Sequence, residues 1–433
     1  MRKLISILAI LVSLLILACT REHQPLDPKD AGNFVMRPQV DIPWPSLADS
    51  PWPMHHGNPQ STGRSRYAGP SQGKVAWRYD SGGQIGTSIV IGADSTIYFG
   101  NDNVIKGEEH HSYLNAVRQD GSLKWRFDIG HTSFKQGCSP IVAADGTIYI
   151  GSTTGQFFAV HPDGSKKWVL TIGESIETLA PNIGLDGVIY FVPDYQQPLY
   201  AINPDGSLHW ECTEKPFNGV FGLSISPDGQ TLYVGCQGIS AADTNYGLAA
   251  VDLNGNIKWI FNVGEIYSSP IVDNEGNLFF SAGLGLGSKD STKTGIFSVD
   301  ANGIMRWKYN LRYADHLGGT MDYNGRVYFT GCDSNNVNQL FAFDHDGKLV
   351  WRFDKDHNGF PGGQHSSLIC DSRGISYCAT WPTIFFAITP EGNLRWQVEI
   401  GDVGWLSPAI SSGLLYIGSY QQSDLGRSLV CIQ

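Results

Sequence analysis

Apolar and polar positions alternate along almost the whole chain in short runs, each closed by a glycine turn. Ser139-Pro-Ile-Val142 leads through Asp145-Gly146 into Thr147-Ile-Tyr-Ile150, and the same order of strand, turn and strand returns in every later unit. A period of two over four to eight residues marks a strand with one buried face. Asp-Gly or Asn-Gly between two such runs marks a hairpin, because the turn needs positive φ and glycine has no Cβ to obstruct it. No stretch carries the 3.6-residue period of an amphipathic helix, so the expected fold is all-β.

The runs themselves repeat. Ala116-VRQDGSLK-Trp125, Ala159-VHPDGSKK-Trp168, Ala201-INPDGSLH-Trp210, Ala250-VDLNGNIK-Trp259, Ser298-VDANGIMR-Trp307, Ala342-FDHDGKLV-Trp351 and Ala387-ITPEGNLR-Trp396 align without a gap. Gly73 and Trp77 carry the same glycine–tryptophan spacing, which makes eight. Successive tryptophans are 48, 43, 42, 49, 48, 44 and 45 residues apart, a propeller-blade period. Each unit supplies four antiparallel strands, and the recurrent indole is expected to pack between neighbouring blades.

The last unit supplies Trp405 to Ser411, Leu414 to Gly418 and Leu429 to Ile432 but no fourth strand, whereas Lys74-Val-Ala-Trp77 is a fourth strand with no blade of its own. Pairing the two ends closes an eight-bladed β-propeller and removes the free edges of an open sheet. Ala68 also stands nine residues before Trp77 and competes with Cys431 for the third-strand position; the C-terminal strand is preferred. The chain divides into a leader at 1–18, a tether at 19–51, an entry segment at 52–73 and the propeller at 74–433.

The leader has a basic start, Met1-Arg-Lys3, and a fifteen-residue apolar run, Leu4 to Ala18, too short to span a bilayer comfortably. It ends in Ile16-Leu-Ala-Cys19, which resembles the bacterial lipobox. That resemblance implies cleavage before Cys19, a lipid on its thiol and anchorage in the cell envelope; Thr20 after the cysteine fits an outer-membrane lipoprotein facing the periplasm or the cell surface. Losing Arg2 and Lys3 with the leader takes the formal net charge from −11 to −13. An acidic body without a basic stripe excludes nucleic acid as a partner. The seven remaining cysteines form no CxxC pair and sit in apolar runs, so they are expected as fillers rather than a disulfide framework.

The A-x-x-x-[DN]-G-x-x-x-W repeat, with Trp52-Pro-Met-His-His-Gly-Asn58 and Ser61-Thr-Gly63 before it, resembles the PQQ-like propeller family. That family includes quinoprotein dehydrogenases and BamB-type outer-membrane assembly lipoproteins. The dehydrogenases carry a vicinal Cys-Cys beside their cofactor and inserted catalytic segments. This chain has no Cys-Cys, so no cofactor is expected and PQQ in particular is not.

Strand direction puts the tight turns on one face and the long loops, such as Gly100–Ser112, Gly235–Gly247, Ser281–Gly295 and Asp354–Gln364, on the other. Elaborated loops on a rigid scaffold are where binding usually resides. Tyr195, Tyr267, Trp381, Trp405 and Tyr420 map to that loop face as candidate contact aromatics. His110, His111 and His131 are candidate metal ligands, and His131, Arg312, Tyr313, His316 and His365 would be the proton-transfer and charge-neutralising groups of a lyase-type enzyme. Solvated loop histidines explain both groups more simply, and neither a metal nor a catalytic set is assigned. His55-His56 reads as packing or surface. The reading that results is a lipid-anchored scaffold binding envelope proteins, with a role in outer-membrane assembly as one such task; the alternative is a propeller that binds or degrades extracellular polysaccharide.

Overall fold

A computed structural model describes residues 34–433 except 104–110, 131–137, 174, 177–180, 195–196, 214–216, 218–221, 237–246, 267, 284–292, 315–317, 334–336, 354–365, 381–383, 402, 404–405 and 420–426. Among the described residues every regular element is a β-strand, and the strands form eight antiparallel sheets. Blades one to seven occupy 84–130, 141–171, 182–212, 223–262, 271–310, 313–353 and 369–399. The first strands of neighbouring blades touch one another and line the axis. Blades one and six have split first strands: Gln84–Ile85 with Val90–Ile91, and Tyr313–Ala314 with Thr320–Met321.

The eighth blade joins the two ends of the chain. Ala409–Ser411, Leu414–Gly418 and Ser428–Ile432 supply three strands, and Val75–Asp80 pairs with Ser428–Ile432 as the fourth. Trp77 lies opposite Cys431, as Trp125 lies opposite Ala116 and Trp168 opposite Ala159. Cys431 therefore holds the small-residue position. Ala68 lies elsewhere, its carbonyl accepting the amide of Gly413.

The spacing of glycine and tryptophan has a mechanical cause. Each indole leaves the fourth strand of one blade and lies on the turn glycine of the next: Trp125 on Gly164, Trp168 on Gly206, and so round to Trp396 on Gly73 and Trp77 on Gly121. Seven of the indoles also donate Nε1–H to a turn carbonyl of the next unit, at 2.8–3.2 Å, from Trp125 to Pro162 through to Trp396 to Pro70. A second-strand aromatic packs against the indole within each blade, Tyr98 on Trp125 and Tyr377 on Trp396 for example, at 5.7 Å between centroids.

One blade departs from this pattern and is repaired across the interface. Tyr328 and Tyr377 donate their hydroxyls to the buried Asp322 and Asp371. Blade five has Phe279 at this position, and His345 of blade six bonds the buried Asp273 instead, at 2.7 Å. Burial pushes the Asp273 carboxyl up, but the bonds from His345 and Asn277 outweigh it and hold the group below the usual carboxylate range. Cys138, Cys212, Cys332, Cys370, Cys378 and Cys431 are buried thiols, as expected of apolar fillers. Burial pushes Cys138 up to about 12, which leaves it inert.

Two glycines with the same backbone separate sterics from strain. Gly392 has φ +86° and a Cβ there would stand 2.8 Å from the Trp351 ring; Gly413 has φ +83° and nothing within 4 Å. Gly413→Ala should lose only the left-handed penalty of about 1–2 kcal/mol. Gly392→Ala must also displace an indole and should cost at least about 2 kcal/mol more. Denaturant midpoints of the two variants, measured side by side, check this; equal midpoints would refute docking as the reason for the glycine.

Candidate functional site

Residues 35–73 cross the tight-turn face and run around the axis as a strap. The portion 35–51, expected as tether, is part of the folded body: the Val35 amide donates to Asp344, and the Arg37 and Gln39 amides to the carbonyls of Asn324 and Tyr323. From Trp52 onward the strap meets the blades in order. Its carbonyls accept the amides of Ile91 (on Trp52), Val142 (Pro53), Ile225 (Pro59), Val272 (Gln60), Met321 (Thr62), Cys370 (Gly63) and Gly413 (Ala68), all at 2.7–2.9 Å. In blade three the Asn182 side-chain amide reaches Pro59 at 2.9 Å. One strap bond thus falls on each of the eight blades, most at the last residue of the first strand.

The Trp-Pro-x-x-x-Gly-Asn segment is the knot that makes this path possible. Trp52 is fully buried with its ring against Gly57, which has φ +80°. Asn58 brackets Thr62, accepting its amide and donating to its hydroxyl, and the Gly63 amide returns to the His56 carbonyl. His56 and Ser61 turn the chain at φ 54° and 51°, a left-handed geometry that costs a non-glycine residue about 1 kcal/mol or more.

His55 and His56 lie inside the knot, stacked at 4.4 Å. Burial, then the neighbouring His56, lower His55 well below 6.5; burial lowers His56 to about 4, partly opposed by the Ser61 carbonyl. Ser88 Oγ lies 2.7 Å from His55 Nδ1, a distance suited to a nucleophile and its base. Yet Ser88 is fully buried, it accepts the Ser407 amide, and so weak a base cannot take a hydroxyl proton near neutral pH. The pair is a bracket between blades one and eight.

The strap also builds a cup of about 630 Å³ on the turn face, within the range of small-ligand sites. Ile42, Pro43, Trp44, Pro45 and Leu47 form one wall, Pro51, Pro53 and Pro59 another, and Asp41, Asp49, Arg64 and Arg66 supply charge. Trp44 is fixed by its Nε1–H to the Ile183 carbonyl. Arg64 Nη2 pairs with Asp41 at 3.3 Å and Arg66 pairs with Asp49. No sequence signal singled out these residues, because a proline-rich stretch before a repeat array looks like linker.

Of the loop-face candidates, Arg312 and Tyr313 are adjacent at the entry to blade six. The Arg312 amide donates to Cys332, and Tyr313 is opposite Cys332 in the sheet. His111 is paired with Asn103, its Nδ1 3.4 Å from the Asp128 carboxylate and its ring stacked on Tyr113. Among the described residues no group of three or more His, Cys, Asp or Glu is placed to hold a metal. Cys19, His110, His131, Tyr195, Tyr267, His316, His365, Trp381, Trp405 and Tyr420 lie outside the described residues.

The fold has known counterparts. Residues 110–297 and 249–433 match the family described as outer membrane protein assembly factor BamB. The structure of BamB from Moraxella catarrhalis superposes with a TM-score of 0.57 at 14% identity, over 83% of this chain and 97% of that one. A Dos1 propeller gives 0.58 at 10% identity over 83% and 94%. The uncharacterized protein YxaL of Bacillus subtilis is 39% identical over 69 residues, 16% of this chain and 17% of that protein. At such identities the structures show the fold alone.

The buried histidines set a pH dependence. His56 is neutral when folded and titrates near 6.5 when unfolded, so protons bind the unfolded chain first. Stability should be complete above about pH 6.5 and fall by about 1.4 kcal/mol per pH unit from this one group as pH drops toward about 4. His56→Gln should flatten the fall in denaturation free energy between pH 7 and 5 by about one proton's slope. An unchanged slope would mean the imidazole is hydrated.

Proposed function

The chain belongs to the family described as outer membrane protein assembly factor BamB, and from that premise we propose that it is a lipid-anchored envelope scaffold binding protein partners. The observation that carries the reading is the family match, which runs from residue 110 to the end of the chain. The geometry is consistent with it. Eight indole-docked interfaces and a strap bonded to every blade make a rigid ring, and rigid platforms lose little entropy when a partner docks. The leader and Cys19 supply the anchor in this reading.

Two measurements test it. Cys19→Ser should abolish incorporation of labelled palmitate and release the protein from the membrane fraction; unchanged labelling would remove the anchor. In-cell cross-linking of the tagged native lipoprotein, followed by mass spectrometry, should recover envelope proteins in stoichiometric amount. Recovery of bound acidic polysaccharide with no protein partner would overturn the scaffold.

A further inference from the structure

The charges in the cup are unevenly satisfied. The Arg64 side chain is 2% exposed, yet its Nε–H has no partner. Its other contacts are long: Nη1 to the Asp322 carbonyl at 3.5 Å, Nη2 to the Val40 carbonyl at 3.2 Å and to Asp41 at 3.3 Å. Asp41 is shared, since it also accepts the Tyr323 hydroxyl at 2.7 Å. A guanidinium presents five N–H donors in a fork that fits a carboxylate, and a buried cation so thinly paired favours an added anion.

Arg66 lies two residues on, where the chain is extended, so both guanidinium groups border the same cup. Its partner Asp49 is 87% exposed and is held only as a surface ion pair, worth little in water. A ligand carboxylate can therefore replace Asp49 without leaving a buried charge behind. The walls set the rest of the ligand. Five prolines contribute no N–H, and the Trp44 donor is already committed, so the walls offer apolar surface.

We propose that the cup binds the C-terminus of a partner protein chain, an apolar last residue against the proline and indole walls and its free carboxylate on Arg66 and Arg64. This inference rests on the scaffold reading for its choice of a protein ligand.

The test is calorimetric titration of the full-length protein in detergent with acetyl-Ala-Leu-Phe as the free acid, the same peptide as its C-terminal amide, and decanoate. The free acid should bind at least about tenfold more tightly than the amide, the equivalent of one charge-assisted contact. Arg66→Gln, on an exposed side chain, should weaken the acid by about the same factor with an unchanged melting temperature. Asp49→Asn should tighten it several-fold by removing the competing carboxylate. Equal binding of acid and amide, binding of decanoate alone, or indifference to Asp49→Asn would overturn the proposal. If neither peptide binds but the cross-linked partners persist, the cup fails and the scaffold stands; peptide binding without any cross-linked partner would keep the cup and remove the scaffold.

Discussion

The ring depends on a flat indole resting on a residue without a side chain. Each tryptophan covers the turn glycine of the next blade and, in seven cases, fixes its distance and angle with an Nε1–H bond to a turn carbonyl. Dispersion and burial of a large aromatic give the contact its strength, and the hydrogen bond gives it direction. Because the donor blade and acceptor blade are always neighbours, eight local contacts define the whole circle. The last of them, Trp396 on Gly73 and Pro70, reaches back to the N-terminal end, so that closure and docking are one event.

Eightfold repetition leaves an axis that no repeat unit can fill, since a residue on the axis would have to occur eight times. The strap resolves this by being unique. It offers one acceptor after another to the innermost strands, and each bond satisfies an amide that would otherwise face the axis. The cost is local strain at His56 and Ser61 and the burial of two imidazoles as neutral bases. The same asymmetry makes the turn face chemically distinctive. There the cup, the under-paired Arg64 and the displaceable Asp49 occur once, on a surface where everything else is repeated.

Repetition also shows where blades have diverged while keeping their energetics. Phe279 removes a hydroxyl that Tyr328 and Tyr377 use to satisfy a buried aspartate, and His345 restores the bond from the adjacent blade. His345 in turn lies 3.1 Å from Arg306, so the repaired site links blades five and six by charge as well as by packing. A buried carboxylate left without such a partner would be among the costliest defects the core could carry.

The sequence by itself determined the strand order, the number of blades, their boundaries and the pairing of the two ends. Each of those is set by local periodicity, turn chemistry and the fixed distance from glycine to tryptophan, which survive in one dimension. It also marked Trp52 to Gly63 as a unit before the first blade. Only the tertiary structure decided that residues 35–51 belong to the body, that His55 and His56 are interior, and that Cys431 rather than Ala68 completes the third-strand position. Asp41, Asp49, Arg64 and Arg66 were equally silent, because their meaning lies in contacts with carbonyls and rings hundreds of residues away. Periodic patterns record which face of a strand is buried. They carry no record of a single, non-repeating segment, whose place is fixed by the axis that all eight blades share.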